Sequence, residues 1–366
     1  MSRLRLLLTT DAVGGVWTYS LDLAAALAEA EDVAVTLAVL GPQPDARQLT
    51  AAAALPGLQL IDTGLPLDWL AKDALTVREA ASAIADLASS CEADLVQLHT
   101  PALACAGQHS APVVSVVHSC LMTWWAAVKG GPLPADFMWR SDLVGEGLRR
   151  SDRVVTPTLT CGRMVKTAYA LPHLPAAVHN GRKASGLQPC NPVDEAFSAG
   201  RLWDEGKDIA TFDRAAALSR TPFLAAGPLL GPNGCAAQLT HARALGRLDE
   251  QTLAAHLSRR PVFVSTALYE PFGLSVLEAA QAGCALVLSD IPTFQELWSG
   301  AAIFVPAGDE QAVAEAVDRL IASPDFRREI SDQARARALV YTPEATATAM
   351  LGIYRQLLGT ERRVAA

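Results

Sequence analysis

Glu270 and Glu278 bracket the stretch of this sequence best suited to chemistry, residues 267–283. An apolar run at 261–265 reads as a buried strand; the chain then turns through Pro271 and Gly273 into a short helix that Gly283 would end. Glu270 falls in the loop over the helix start and Glu278 about one turn inside. The unpaired N–H groups and positive dipole end of a helix start, here near Gly273 and Leu274, suit a phosphate. Carboxylates repel phosphate but accept well from sugar hydroxyls. Together they point to a nucleotide sugar, with Glu278 on the ribose and Glu270 on the sugar. The same spacing also fits a plain strand–loop–helix connection carrying two solvated acids.

Other candidates repeat the pattern of a strand end followed by a polar group. Gly14 and Gly15 follow an apolar run at 3–9 and precede an Ala/Leu-rich helix, where a ligand can approach backbone closely. His99 and His118 each follow an apolar run, at 94–98 and 112–117. In a parallel α/β sheet such positions share the ligand-binding rim. Residues 119–140 read as a long irregular segment holding Trp124 and Trp125, whose faces could stack on an acceptor sugar or simply pack the loop.

The elements that must hold these groups alternate strand and helix in both halves of the 366 residues, which predicts an α/β fold. We expect two doubly wound Rossmann-like domains facing across a cleft: 1–180, 181–342, and a last helix at 343–366 packing back on the first. The proline-rich stretch 171–194 is the expected linker. Hydrophobic residues at 51% and charged residues at 19% suit large buried cores. A net charge of -8 speaks against nucleic acid as a partner. Seven scattered cysteines, without a Cys-x-x-Cys pair, fit reduced thiols in a cytoplasmic protein. No run approaches the roughly 20 apolar residues of a membrane span, so no transmembrane segment is expected.

The chain resembles the family-4 retaining glycosyltransferases of the two-Rossmann-domain (GT-B) class over nearly its whole length. The most specific likeness is the Glu270-to-Glu278 stretch, similar to the family's Glu-x7-Glu motif. Gly200-Arg201-Leu202 with Lys207 resembles the segment that binds the donor diphosphate, and Gly14-Gly15 the glycine loop lying against it. His118 matches a histidine that contacts the transferred sugar, and His99 a second histidine of many members. Asn180-Gly181 resembles the start of an Asn-Gly-Val-Asp linker motif, but Arg182-Lys183 replaces Val-Asp.

The resemblance implies a hexosyl transfer from a nucleotide-diphosphate sugar (UDP- or GDP-linked) to a hydroxyl by front-face substitution, with no metal or other cofactor. Glu270 then positions the sugar rather than acting as nucleophile. His118, Glu270, Arg201 and Lys207 form the expected catalytic set; Gly14, Gly15, Gly273, Leu274 and Glu278 complete the donor site. His99, Trp124 and Trp125 lie on the acceptor side, where a small molecule, glycan or lipid would bind. A nucleotide-sugar epimerase on the same plan, or a non-catalytic nucleotide-sugar-binding subunit, are the alternatives.

Overall fold

The computed structural model describes residues 3–106 and 109–364. The chain forms two compact units. The first comprises Met1–Ala126, Gly130–Gly181 and Thr342–Ala366, and the second Ala127–Lys129 and Arg182–Tyr341. Apart from the short segment Ala127–Lys129, the chain passes between the units at 181/182, inside the proline-rich stretch, and returns at 341/342.

The strands of the first unit are β1 (Leu4–Asp11), β2 (Val33–Leu40), β3 (Leu58–Asp62), β4 (Leu95–Leu98), β5 (Val113–Val116), β6 (Arg153–Thr156) and β7 (Ala176–Ala177). They form one sheet in the order β3-β2-β1-β4-β5-β6-β7, with every pairing parallel. Helices α1 (Gly15–Ala30), α2 (Ala46–Ala53), α3 (Ala74–Ser90), α4 (Leu121–Val128), α5 (Ala135–Arg150) and α6 (Leu159–Ala168) fill the connections. Apolar cores cover both faces: Leu7 of β1 packs into one, its neighbours Leu6 and Leu8 into the other. That is why these strands are continuous apolar runs rather than alternating ones.

Residues 119–140, expected to be irregular, are instead mostly helical. Leu121–Val128 and Ala135–Arg150 form α4 and α5, leaving residues 119–120 and the break between the helices as loop. Gly130 and Gly131, at φ of 65° and 68°, end α4 in a conformation that continues no helix, and Pro134 sits at the N-cap of α5.

The second unit repeats the design with β8 (Ala196–Ala199), β9 (Phe223–Ala226), β10 (Arg243–Gly246), β11 (Val262–Ser265), β12 (Leu286–Ser289) and β13 (Ile303–Val305). Their order is β10-β9-β8-β11-β12-β13, again parallel throughout. Helices α7 (Ile209–Leu218), α8 (Glu250–Ser258), α9 (Leu274–Gln281), α10 (Pro292–Trp298), α11 (Glu310–Ala322) and α12 (Pro324–Ala338) surround it. The last helix, α13 (Pro343–Val364), belongs to the first unit, where Ala347, Met350, Leu351 and Tyr354 are buried with Tyr19, Leu23 and Leu27 of α1. Thr342 Oγ1 caps it by accepting from the Ala345 N–H at 3.2 Å.

The chain is thus two parallel-sheet Rossmann-like domains. Among the described residues, no helix is long and apolar enough to cross a membrane. None of the seven cysteines is in a disulfide.

Candidate functional site

In the second domain the groups gather at the carboxyl ends of β8 and β11. Gly200 ends β8, and a Cβ on Gly227, which ends β9 at φ 145°, would lie 1.8 Å from the Gly200 carbonyl oxygen. Only glycine permits that approach. From Gly200 the chain enters a tight loop to Asp208, which caps α7 in a left-handed conformation at φ 43°. For a residue with a side chain that backbone is strained, at a cost of about 1 kcal/mol.

The loop is stapled to the segment after β11. Thr266 Oγ1 donates to the Asp208 carbonyl at 2.8 Å, and the Leu268 N–H donates to the Gly206 carbonyl at 2.9 Å. Lys207 and Glu270 are thereby brought together, and the Lys207 ammonium donates to the Glu270 carboxylate. Both side chains are largely buried, at 21% and 12% exposure. A pair this enclosed neutralises both charges, and losing one partner would strand the other.

Glu270 is held from the far side by the start of α9. Gly273 is the N-cap at φ 90°, and a Cβ there would press within 3.2 Å of Glu270 Cγ and 3.3 Å of Phe294. No side chain caps the helix. Ser198, Gly200, Lys207, Ser265, Glu270 and Ser275 line one small cavity at this point. Arg201 is not among its lining residues. Its guanidinium pairs with Asp204 at 3.0 Å and lies 5.6 Å from the Trp203 ring.

Glu278 sits one turn along α9, and it is occupied. Arg182 Nε donates to Glu278 Oε1 at 2.7 Å, and the same guanidinium also pairs with Glu250. Arg182 is fixed at both backbone groups: its N–H donates to the Tyr341 carbonyl at 3.2 Å and its carbonyl accepts from Gln281 Nε2 at 2.7 Å. Beside this cluster lies a pocket of about 180 Å³ that includes Lys183, Glu250, Glu278 and Gln281. The substituted linker position is therefore built into the site, a role the sequence alone did not disclose.

In the first domain the two strand-end histidines do meet. Their ring centroids are 4.8 Å apart at 90°. Tyr19, from the second turn of α1, packs edge-on to both, at 5.2 Å from His99 and 4.5 Å from His118. Behind them stands Gln97, fully buried on β4 and on the same strand face as His99. Gln97 Nε2 lies 2.8 Å from His99 Nε2, Ser20 Oγ lies 3.2 Å from His99 Nδ1, and the Tyr354 hydroxyl of α13 donates to Gln97 Oε1.

Burial pushes the His118 imidazole down to about 4. Burial and then the neighbouring His118 hold His99 well below the usual range. Both rings are neutral at neutral pH. Burial also raises the Tyr19 and Tyr354 phenols, so they stay protonated. His118 Nε2 is sealed from solvent and has no hydrogen-bond partner.

Gly14 is the N-cap of α1 and Gly15 its exposed first residue, with no side chain capping the helix. Trp124 and Trp125 are neighbours on α4, and Trp125 stacks 5.8 Å from Phe137. Leu274 begins α9. Tyr19, Gln97, Tyr354 and Arg182 were not singled out as site residues by the sequence. The sequence did carry two signals, Gln97 as a polar residue two before His99 in an otherwise apolar strand and Arg182 as a departure from the linker motif. Among the described residues, no group of three or more His, Cys, Asp or Glu could hold a metal ion.

Known proteins share this fold. The glycosyl transferases group 1 family model matches residues 236–337, and the glycosyltransferase family 4 model matches residues 13–183. Sucrose-phosphate synthase from Thermosynechococcus elongatus superposes with a TM-score of 0.81 at 20% identity, covering 98% of this chain and 100% of that one. Anabaena HepE in complex with UDP-glucose gives 0.70 at 16% identity, covering 97% and 100%. At such identities these likenesses show the fold. Alpha-maltose-1-phosphate synthase from Mycolicibacterium smegmatis is 34% identical over 110 residues, a match spanning 28% of each chain. With one family model in each domain and the same two-domain fold in its structural relatives, the chain belongs to the group 1, family 4 glycosyltransferases.

Proposed function

We propose that the protein transfers a hexose from a nucleotide-diphosphate sugar to a hydroxyl acceptor, with retention of configuration and without a metal ion. The observation that carries this reading is the Lys207–Glu270 pair, enclosed between a strand-end glycine and the uncapped start of α9. A diphosphate arriving there takes the ammonium from Glu270, and the carboxylate released accepts hydroxyls of the transferred sugar. Charge growing on the leaving diphosphate is stabilised by Lys207, by Arg201 and by the amides at Gly273 and Leu274. Glu278 takes the ribose. In the first domain, Gly14 and Gly15 allow close backbone approach, and the unpartnered His118 Nε2 is the group there suited to a sugar hydroxyl.

In this reading Glu270 and Glu278 accept hydroxyls of the sugar and the ribose, and neither is the nucleophile. The acceptor hydroxyl attacks from the face the diphosphate leaves, and the departing phosphate oxygen takes its proton. His99, Trp124 and Trp125 fall on the acceptor side, for a small molecule, a glycan or a lipid. The UDP-glucose complex of Anabaena HepE supports a uridine donor, and the two sugar-phosphate synthases support a soluble acceptor. A thermal-shift panel of UDP-glucose, ADP-glucose and GDP-mannose tests the reading, since a bound donor stabilises by mass action. One of them should raise Tm and then release its nucleoside diphosphate in the presence of EDTA. If none stabilises the protein, the reading is wrong.

A further inference from the structure

His99 is a neutral ring whose two nitrogens face different partners, and the chain of hydrogen bonds behind it has a direction. The Tyr354 hydroxyl donates to Gln97 Oε1, which fixes the amide so that its NH2 group faces His99. An amide nitrogen can only donate, so His99 Nε2 must accept at 2.8 Å. The ring proton then sits on Nδ1, aimed at Ser20 Oγ, 3.2 Å away. Ser20 in turn sends its own proton to the Val16 carbonyl at 2.8 Å or to Thr10 Oγ1 at 3.0 Å. The rings of His99, His118 and Tyr19 pack edge to face on one another, so a brace on His99 reaches all three.

We propose that Tyr354, on the C-terminal helix, is a positioning residue that acts through Gln97: it sets His99 as the Nδ1–H tautomer and locks the ring that His118 packs against. The inference deepens the transferase reading, because His118 is there the group that meets the sugar. Tyr354 itself touches no substrate. It lies 257 positions from Gln97 in sequence and is fully buried, so its hydroxyl has this one polar task to perform from inside the core. A phenylalanine would fill the same space as the ring does.

Nitrogen-15 NMR of the histidine side chains tests this on the protein alone. In the unsubstituted protein at neutral pH, His99 should show a protonated Nδ1 and a lone-pair Nε2. In Tyr354→Phe the amide is free to turn, and the His99 signals should move toward a mixture of tautomers while those of His118 shift with them. Gln97→Glu has the same shape but cannot donate, so it should move the His99 proton to Nε2. If that buried acid prevents folding, Tyr354→Phe still decides the matter. With the donor found in the panel, Tyr354→Phe should lower turnover roughly fivefold, the size of one net hydrogen bond, at unchanged donor KM. The proposal is overturned if His99 carries its proton on Nε2 in the unsubstituted protein, or if Tyr354→Phe leaves both histidines' signals or the turnover unchanged. Failure of every nucleotide sugar to bind would sink the transferase reading, while the nitrogen signals would still decide the tautomer.

Discussion

The two domains present their polar groups in opposite electrical states. At the strand ends of the first, His99 and His118 are neutral and pack against Tyr19, and Gln97 hydrogen-bonds His99. At the strand ends of the second, Lys207 and Arg182 are charged and already paired, with Glu270 and Glu278. The difference is one of readiness. A neutral set has no ion pair to break when a hydroxyl arrives, whereas a self-paired set must exchange partners before it can hold a diphosphate. Stored pairing also keeps the carboxylates from repelling an incoming phosphate, since each arrives already countered by a cation.

The contrast can be broken most severely at Lys207. Replacing it with alanine should cut turnover about a hundredfold or more, because it removes charge stabilisation where the leaving group forms. It should also strand Glu270, so the double variant Lys207→Ala/Glu270→Ala should melt higher than Lys207→Ala alone. Equal melting temperatures would show that the pair is not an enclosed one.

The neutrality of the first domain has its own signature in acid. An unfolded imidazole takes a proton below about 6.5, but folded His118 does so only near 4. The unfolded chain therefore binds more protons across that window, and stability falls as the pH drops from 6.5 to 4. The slope from His118 alone is about 1.4 kcal/mol per pH unit. Denaturant melts at stepped pH should show a shallower slope for His118→Gln, and an unchanged slope would mean that the ring is not neutral.

Two smaller effects sharpen the comparison. Glu278→Ala should weaken donor binding about tenfold by calorimetry, the loss of charge-assisted hydrogen bonds to a ribose diol. Normal binding would remove Glu278 from the ribose. Raising salt from 0.05 to 0.5 M should weaken donor binding by about twofold to threefold in the unsubstituted protein, since screening acts on the charged half. The fractional loss caused by His118→Gln should stay the same at both salts.

Much of this was legible because parallel sheets bury both faces. Runs such as 33–39 and 112–117 declare themselves, and the first polar group after each marks the rim, which is how His99 and His118 were found. Glu270 and Lys207 were legible from residue type and from family likeness. Their pairing was not, because it depends on the staple between Thr266 and Asp208. Tyr354 gave no sign, since a buried tyrosine on a helix face looks like core until its hydroxyl partner is known. Arg182 showed only as a departure from a motif, and its partner Glu278 is 96 positions away. In 119–140, clustered tryptophans, prolines and glycines hid α4 and the start of α5, because the breakers sit between the two helices and not within them.

The second domain opens at Arg182 and closes at Tyr341, and those two residues are joined by a backbone hydrogen bond of 3.2 Å. In topological terms it is an insertion whose ends touch, placed inside a first domain that resumes at Thr342. A ribosome making this chain would release the whole insert before the helix that carries Tyr354. The charged half of the machinery can thus be folded while the neutral half still lacks the brace behind its histidines. A nascent chain stopped at 341 should present the Lys207–Glu270 pair in place, with Gln97 waiting for the last helix to arrive.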